Sequence, residues 1–488
     1  MAASRCELSG RTNVQQKAVA QEPSDDTQEA IPDSGTGSRR NRELRLTQII
    51  VAARQTFQED GYAGFATRRV AGRVGITLGN LQYYFRTKDE LLQAALHARI
   101  SQIVSDYTGI ANEQGISATR RCAALVERVF HDINETDLPK FLIEIWAFAQ
   151  HDPYAAKLVG DMYSEYRAIF AKLLSELHPT LTPEQSLARA SALISQTTGM
   201  MIFINHGGES DKDHSEFVRV TRRAIKMLVG SAPEALENDL SHDRPAHAKT
   251  HAHVGIFDAE KPVRNGLFEL SVRNPGHDAL YYRATAQGKR REVKVNEIVS
   301  ATANILAAEG YANCTLARVS KELGIRPSAL QNYFPTHDDL LRSTIDALLT
   351  AYLDRYADMG KPSGKPALER LSEIVDDGLE EARDSKACRF AFEMGALAQH
   401  SDITLELVRR LYAASRAIFQ DLVREMDASA TARECHARAT LIAAQMEGAM
   451  TLMFASQVQV PDVDRVFDLL KVMAIRIANG KLAAKEAA

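Results

Sequence analysis

The stretch that decides the fold is GYAGFATRRVAGRVGITLGNLQYYFRTKDELL, residues 61–92. A second version, GYANCTLARVSKELGIRPSALQNYFPTHDDLL, occupies residues 310–341, so the two versions begin 249 residues apart. Aligned without a gap, 17 of the 48 positions in 45–92 are identical to their equivalents in 294–341. The chain therefore carries the same passage twice.

The repeat extends beyond this passage to a whole subunit. In the same register, Glu144 recurs as Glu393 and His151 recurs as His400. Solenoid repeats have periods of about 20 to 50 residues, so a period of this length excludes a solenoid. The sequence instead predicts two equivalent halves that form a covalent pseudo-dimer.

Glycines and apolar spacing within the passage predict a helix-turn-helix. Apolar residues in 49–57 recur at helical spacing and form one face of a first helix, which Gly61 ends. Gly75 gives the sharp turn between a short second helix and a third helix of about residues 78–85. The second version repeats each step.

Residues at the helix ends both agree and differ between the two versions. Thr87 to Glu90 predict a capping box at the start of a fourth helix. Pro327 stands at the first position of the other third helix, where a missing N–H costs nothing. Ala66 replaces the capping hydroxyl that Thr315 keeps, so we expect the heads to differ locally.

At these residues the chain resembles the TetR (tetracycline-repressor-type) family of bacterial regulators. The family's glycine–tyrosine pair, glycine turn and leucine–aromatic–phenylalanine series stand at fixed offsets in residues 61–92, and in 310–341 with small departures. The resemblance implies an all-α fold of two units, each a three-helix head followed by a helical regulatory bundle, packed as an intramolecular pseudo-dimer. It also implies a sequence-specific transcriptional regulator, a ligand-released repressor with two unlike heads on an asymmetric operator.

On this basis the chain is expected to divide into seven segments. The prolines, glycines and polar residues of the two longest connecting stretches argue against regular structure there. The segments are a disordered tail 1–38, a first head 39–97, a first bundle 98–230, a linker 231–288, a second head 289–346, a second bundle 347–480 and a tail 481–488.

Two features of the linker leave alternatives open. Apolar residues between 268 and 282 permit part of it to dock, as a short hairpin for example. The histidines at 247, 251 and 253 suit either a metal site or a solvated linker. The solvated linker is favoured because no cysteine or carboxylate stands nearby at ligand spacing.

The resemblance assigns DNA contacts to the third helices and to a basic run before each head, where the family has an arm on the phosphates or in the minor groove. A single basic run also fits a solvated surface, but two runs at equivalent places favour the arm. His337 stands where Lys88 supplies a permanent cation. The predicted contact residues are Arg39, Arg40, Arg42, Thr77, Leu78, Gly79, Asn80, Gln82, Tyr83, Tyr84 and Lys88 in the first half, and Arg290, Arg291, Thr315, Arg326, Pro327, Ser328, Ala329, Gln331, Asn332, Tyr333 and His337 in the second.

In the family, the later helices enclose a small-molecule pocket, and the last two of each subunit form a four-helix dimer interface. The candidates here are about 183–205 with 214–229, and 431–457 with 462–479. Aromatic and methionine residues at helical spacing fit either a core or a pocket. A ligand is expected to be apolar or amphipathic, because no dense Arg or Lys cluster marks either half for an anion. The pocket candidates are Phe141, Trp146, Phe148, Tyr163, Tyr166, Phe203, Phe390, Phe392, Met394, Tyr412, Met446 and Met450.

Composition and missing motifs narrow the functional class. The chain is 45% hydrophobic and 25% charged, with net charge -4, as in ordinary globular protein. It lacks G-x-S-x-G, H-E-x-x-H and G-x-x-x-x-G-K-[ST], so no enzyme, cofactor or metal is expected. Five scattered cysteines suit a reducing cytosol, and no apolar run approaches the ~18 residues of a membrane helix.

The expected partners are double-stranded operator DNA and one small-molecule effector. A single chain is expected to act as the pseudo-dimer, in the cytoplasm at the nucleoid, and pairing of two chains is the alternative. The competing function is a helical interaction or ligand-sensing protein that has lost DNA binding. That function would predict degraded heads, whereas both heads keep their packing residues.

Overall fold

The structure is a computed structural model that describes residues 34–208, 210–232, 235–236, 289–455 and 463–483 of the 488-residue chain. Its regular elements are helices, and these ranges contain no strand. The all-α class predicted from the sequence is confirmed. The three linker histidines and the apolar residues near 268–282 lie outside the described residues.

The described helices occur in the same order in both halves, so that each first-half helix matches the helix numbered nine higher. The first half has α1 Ser34–Gly64, α2 Thr67–Val74, α3 Leu78–Tyr84, α4 Lys88–Ala111, α5 Ala118–Glu135, α6 Leu138–Phe148, α7 Pro153–Leu177, α8 Pro183–His206 and α9 Asp211–Gly230. The second half has α10 Lys289–Glu309, α11 Leu316–Glu322, α12 Pro327–Gln331, α13 His337–Gly360, α14 Ala367–Glu381, α15 Ser385–Leu397, α16 Asp402–Met426, α17 Ala432–Ala455 and α18 Val463–Ala478.

The chain separates into two compact units, Met1–Thr47 and Gln48–Ala488. The described part of the first unit is the beginning of α1. This helix begins at Ser34, so the last five residues of the tail that was predicted to be disordered are helical.

Glycines with left-handed backbone set the path of both heads. Gly61 (φ 68°) interrupts the end of α1, and Gly310 (φ 81°) follows α10 at the equivalent place. Gly75 (φ 72°) and Gly324 (φ 63°) make the turns that lead to the third helices. Because L side chains are disfavoured at these φ values, the predicted turns depend on glycine.

The cap at the start of the fourth helix differs from the prediction. Thr87 Oγ1 accepts from the N–H of Glu90 at 3.1 Å, as expected for an N-cap. The Glu90 carboxylate, however, accepts from the N–H of Arg86 at 2.8 Å and not from that of Thr87. The complete capping box lies in the second half, between Thr336 and Asp339.

Helices α8 and α17 cross at two glycines in a close, reciprocal contact. A β-carbon at Gly199 would overlap the carbonyl oxygen of Ala444, and one at Gly448 would overlap that of Ser195. The helix pair α9 and α18 also packs against α8 and α17. These four helices are the candidates that were identified in the sequence for the interface between the halves.

Helix α8 corrects the expectation that no apolar run approaches membrane-spanning length. By length and composition Pro183–His206 is such a helix, with a mean hydropathy of 1.2 over 18 residues. In the folded chain 89% of that window is buried. Most of the surface of α8 is thus covered by other helices, as expected for a helix at the centre of a large bundle.

Buried residues occur in two segments that were predicted to lie outside the bundles, the linker and the C-terminal tail. Leu236, in the expected linker, is 2% exposed, and the carbonyl of Ala235 accepts from the guanidinium of Arg476 at 2.9 Å. Leu482, in the expected C-terminal tail, is 5% exposed. The contact of Ala235 with Arg476 joins residues 241 positions apart, and no local pattern in the sequence indicates it.

Candidate DNA-binding heads and ligand cavity

The third helix of the first head, α3, presents a polar face outward. Leu81 is buried and holds the helix on the head. Thr77 caps the helix, since its Oγ1 accepts from the N–H of Asn80 at 3.2 Å. Tyr83 is 71% exposed, with its ring 5.3 Å from that of Tyr84. The exposed predicted contact residues here are Thr77, Gly79, Asn80, Gln82, Tyr83 and Lys88, while Leu78 and Tyr84 are half-buried.

The equivalent helix of the second head, α12, is shorter and chemically different. Leu330 is its buried anchor. Arg326 takes the N-cap position without a side-chain capping bond. The exposed predicted contact residues are Arg326, Pro327, Ser328, Gln331 and Asn332, while Ala329, Tyr333 and His337 are half-buried.

Two basic residues predicted to contact phosphate make bonds inside the second head. The guanidinium of Arg291 lies 4.8 Å from the centroid of the Tyr333 ring and donates to the Asn332 carbonyl at 3.0 Å. The imidazole Nε2 of His337 hydrogen-bonds the carbonyl of Cys314. Lys88, in contrast, is exposed, with Nζ 5.8 Å from the Phe65 ring centroid.

The second helices differ at their caps as the sequence indicated. Thr315 Oγ1 accepts from the N–H of Arg318 at 3.1 Å, whereas Ala66 supplies no side-chain cap to α2. In the basic arm of the first unit, Arg40 and Arg42 are exposed on α1, and the side chain of Arg39 is not among those described. Arg290, in the other arm, is exposed on α10.

A reciprocal network of carboxylates and imidazoles joins the two halves. Glu144 Oε1 lies 2.7 Å from His400 Nε2, and Glu393 Oε1 lies 2.8 Å from His151 Nε2. Both glutamates are 0% exposed. Burial raises the pKa of Glu144 above its ordinary value, although the hydrogen bond from His400 opposes that shift.

The same glutamates hold the ends of the first helices in both heads. Glu144 Oε2 accepts from the backbone N–H of Tyr62 at 3.1 Å, and Glu393 Oε2 accepts from that of Tyr311 at 2.7 Å. The hydroxyl of Tyr62 also donates to Glu393 at 2.9 Å, and the two tyrosine rings lie 4.8 Å apart. A β-carbon at Gly61 would lie 2.7 Å from His400 Nε2, so this packing also requires glycine. Each glutamate thus connects a head, its own bundle and the opposite half.

An apolar opening with a volume of about 80 Å³ lies in the second bundle. Four predicted pocket residues line it: Phe390, Met394, Tyr412 and Met450. A smaller cavity of about 30 Å³ shares Tyr412 and Met450 and continues between the halves to Trp146 and Phe392. The two cavities meet at Glu447, which lines both.

The other pocket candidates serve packing or line a different opening. Phe203 stacks on Tyr412 with ring centroids 4.3 Å apart, and it lines a separate polar opening near Arg409. Five candidates do not line these three openings. Phe141 and Phe148 contact Phe57 of α1, Tyr166 stacks on Tyr107, Tyr163 is 1% exposed, and Met446 packs against Gly378.

Sequence reasoning missed Glu447, Glu381, Tyr352 and His206 as cavity residues. A signal for Glu447 was present, because this single acidic residue interrupts an apolar helix between Leu441 and Ala455. Glu447 is half-buried in the bundle, and desolvation raises its pKa to about 7. Among the described parts of the chain, no group of three or more histidines, cysteines or acids is placed to hold a metal.

Known proteins resemble the chain at both heads. A family model described as "Bacterial regulatory proteins, tetR family" matches residues 49–95 and, again, residues 298–344. The two matched stretches contain the helix-turn-helix passages quoted at the outset.

Curated relatives match over about one subunit length. The HTH-type transcriptional regulator BetI of Cronobacter sakazakii is 25% identical over 196 residues, which cover 40% of this chain and 96% of that regulator. BetI of Burkholderia lata is 26% identical over 166 residues, covering 33% and 82%. The uncharacterized HTH-type transcriptional regulator in the dhlA 5' region of Xanthobacter autotrophicus is 26% identical over 155 residues, covering 31% and 74%. A nearly complete relative therefore fits within less than half of this chain.

Proposed function

Because this chain is a tandem fusion of two tetR-family subunits and a DNA-binding regulator of transcription, we propose that it is a repressor released from an asymmetric operator by a small molecule. In this proposal one chain acts as a complete pseudo-dimer. Its helices α3 and α12 enter successive major grooves about 34 to 36 Å apart, at the chromosome in the cytoplasm.

The strongest support for this proposal is that the two heads keep the same buried packing residues but expose different residues on their third helices. The threonine–tyrosine face of α3, with Thr77 and Tyr83, is matched in α12 by Arg326 and Asn332. Identical recognition helices read a palindrome, so unlike helices favour two different half-sites. The buried anchors Leu81 and Leu330 are the same in both heads, which argues for binding by both.

The exposed side chains divide into readers of base edges and contacts to phosphate. Amide and guanidinium groups suit base edges, and Arg326 suits a guanine because its guanidinium can donate to both O6 and N7. Lys88 offers a point charge at the start of α4, as do Arg40 and Arg290 in the arms, and such groups suit phosphates. Arg291 and His337 are weaker candidates, since both already make bonds within the head.

Release by a ligand would act through α15. Phe390 and Met394 of this helix line the second-half cavity, and Glu393 between them accepts from the backbone of Tyr311 and the hydroxyl of Tyr62. A ligand that moves α15 would therefore shift the ends of both first helices and change the spacing of the heads. The ligand must bind the shifted arrangement more tightly than the DNA-bound one.

Selection of binding sites from random DNA, followed by sequencing, tests the asymmetric operator. We expect two different half-sites, and recovery of a perfect inverted repeat would contradict the proposal. If no sequence is enriched, the competing interaction or sensing function is favoured instead.

Two substitutions test the assigned roles on the selected operator. Arg326→Ala should reduce the discrimination between bases at one base pair by about 1 to 3 kcal/mol. Lys88→Ala should instead weaken binding to all DNA sequences alike, and it should lower the slope of log affinity against log salt concentration by about one unit. Arg424→Ala, which removes an exposed cation from the second bundle, is the control and should change neither. If Arg326→Ala lowers affinity uniformly without changing preference, its role in base readout is wrong.

A further inference from the structure

The cavity of the second bundle combines aromatic walls with two carboxylates, of which Glu447 has no ion-pair partner among the described residues. Tyr352, Phe390 and Tyr412 contribute rings, and Met450 contributes a thioether. Glu447 lies where this cavity meets the smaller one between the halves. Rings attract cations through their negative faces, and a carboxylate attracts cations directly.

The carboxylate of Glu447 lacks a protein partner. Within the described ranges its oxygens make no hydrogen bond or ion pair, and the half-buried residue lines both cavities. Glu381 also lines the cavity, but it is paired with Arg355 at 3.5 Å. A carboxylate that is largely withdrawn from water and has no partner costs free energy, so a cation placed beside it would lower that cost.

The remaining lining residues supply no positive charge. In the described ranges, neither cavity is lined by lysine or arginine. His206 lines the smaller cavity and is 1% exposed, and burial lowers its pKa to about 4, so it is neutral near pH 7.

We propose that these joined cavities bind a small organic cation, an ammonium group with apolar substituents, seated on Glu447 between the rings of Tyr352 and Tyr412. This inference rests on the proposed function, since it identifies the chemical class of the effector. The apolar substituents would occupy the surface of Phe390, Met394 and Met450. Because Met394 neighbours Glu393, the bound cation would lie one residue from the network that holds both heads.

The site belongs to one half only. Thr198 stands at the position equivalent to Glu447, and Ile103 at that equivalent to Tyr352. The first half thus lacks both the carboxylate and one ring of the cation site. We therefore expect one cation per chain.

Isothermal titration calorimetry on the full chain tests the binding site. The probes are tetramethylammonium and tert-butylammonium, which separate a quaternary from a hydrogen-bonding cation, with tert-butanol and pivalate as neutral and anionic molecules of similar shape. At least one of the cations should bind at one per chain, and tert-butanol and pivalate should not. Equal binding of tert-butanol would overturn the proposal.

Glu447→Gln removes the charge while keeping the size of the side chain. It should weaken cation binding by about tenfold or more, because the attraction between the cation and a carboxylate is replaced by contact with a neutral amide. Thr198→Val, at the equivalent position, is the matched control and should leave the affinity unchanged. Unchanged affinity in Glu447→Gln, with a wild-type melting curve, contradicts the assignment.

A gel shift on the selected operator separates failure of this inference from failure of the proposed function. Operator binding that a bound cation releases in the wild type, but not in Glu447→Gln, supports both. Operator binding with no cation bound in calorimetry overturns the cation site and leaves the regulator intact. Cation binding without any operator binding overturns the role as an effector, because the regulator itself has then failed.

Discussion

Tyr62 and Tyr311 occupy equivalent positions, but their hydroxyl groups have different surroundings. The Tyr62 hydroxyl donates to Glu393 at 2.9 Å, whereas the buried Tyr311 hydroxyl donates to no carboxylate in the described protein. Tyr62→Phe should therefore lower the free energy of unfolding by about 1.5 to 3 kcal/mol, the usual range for a hydrogen bond to a charged group. Tyr311→Phe is the matched control and should be neutral or slightly stabilising. Urea unfolding measures both, and equal losses would show that the reciprocal network is not arranged in this way.

Glu447 should make stability depend on pH. Burial raises its pKa from 4.5 to about 7, so the folded chain binds more protons than the unfolded chain between these values. The contribution of Glu447 to the free energy of unfolding is therefore fully present below pH 4.5, and it is lost as the pH rises through 7. A shift of about 2.5 units corresponds to roughly 3 kcal/mol.

The titratable groups around Glu447 should contribute little to the change of stability with pH. Burial raises the pKa of Tyr352, Tyr412 and Cys388, so all three are neutral from pH 5 to 8. Burial lowers the pKa of His206 to about 4, and Glu381 is paired with Arg355. Comparison of melting temperatures at pH 5 and 8 should show that Glu447→Gln gains stability relative to the wild type at pH 8. An identical pH dependence in both proteins would mean that the carboxylate is solvated.

At the level of helices, the halves keep one ion pair but exchange its charges. In the first half Arg128 of α5 lies 2.9 Å from Asp106 of α4. In the second half the equivalent positions carry Asp377 on α14 and Arg355 on α13, which also form an ion pair. The helix contact is therefore maintained while the residues have diverged.

The contact between α8 and α17 can be tested by adding one methyl group. Gly199→Ala would place a β-carbon against the carbonyl of Ala444, so we expect a loss of about 1 to 3 kcal/mol or more. Gly109→Ala, in α4, meets no atom within 4 Å and should stabilise the helix by about 0.5 to 1 kcal/mol. Thermal unfolding of the two variants compares them. A neutral Gly199→Ala would show that the helices do not approach so closely.

Local features of the helices could be predicted from the sequence, whereas long-range ones could not. The turn glycines, the cap at Thr315 and the polar face of α3 depend on residues within a few positions, so their pattern is visible in one stretch. The capping box at Thr87 was wrong because Glu90 has two possible backbone donors nearby. The role of Glu447 depends on residues from several helices, and no local pattern specifies which of them meet.

The reciprocal network shows the same limit over a longer distance. Recurrence of Glu144 and His151 as Glu393 and His400 was visible as identity between the halves. Their pairing across the halves was not, because each glutamate contacts the histidine of the opposite copy. Repetition thus identified the residues, and only the packed fold gave their partners.

For the whole molecule, fusion makes the association of the halves intramolecular. Such an association has an effective concentration in the millimolar range for short linkers, falling as about the −3/2 power of length for longer ones. The crossing of α8 and α17 and the two Glu–His contacts then give the halves a defined arrangement. Fusion also frees each half to diverge, which accounts for unlike faces on α3 and α12 and for Glu447 in the second half where the first half has Thr198.

The most direct test of a one-chain pseudo-dimer is the light-scattering mass of its complex with the selected operator at low micromolar concentration. The mass should exceed that of the DNA by one chain, 53.9 kDa, with both half-sites protected. An increment of twice that mass would mean that two chains pair on one operator, and it would contradict the account.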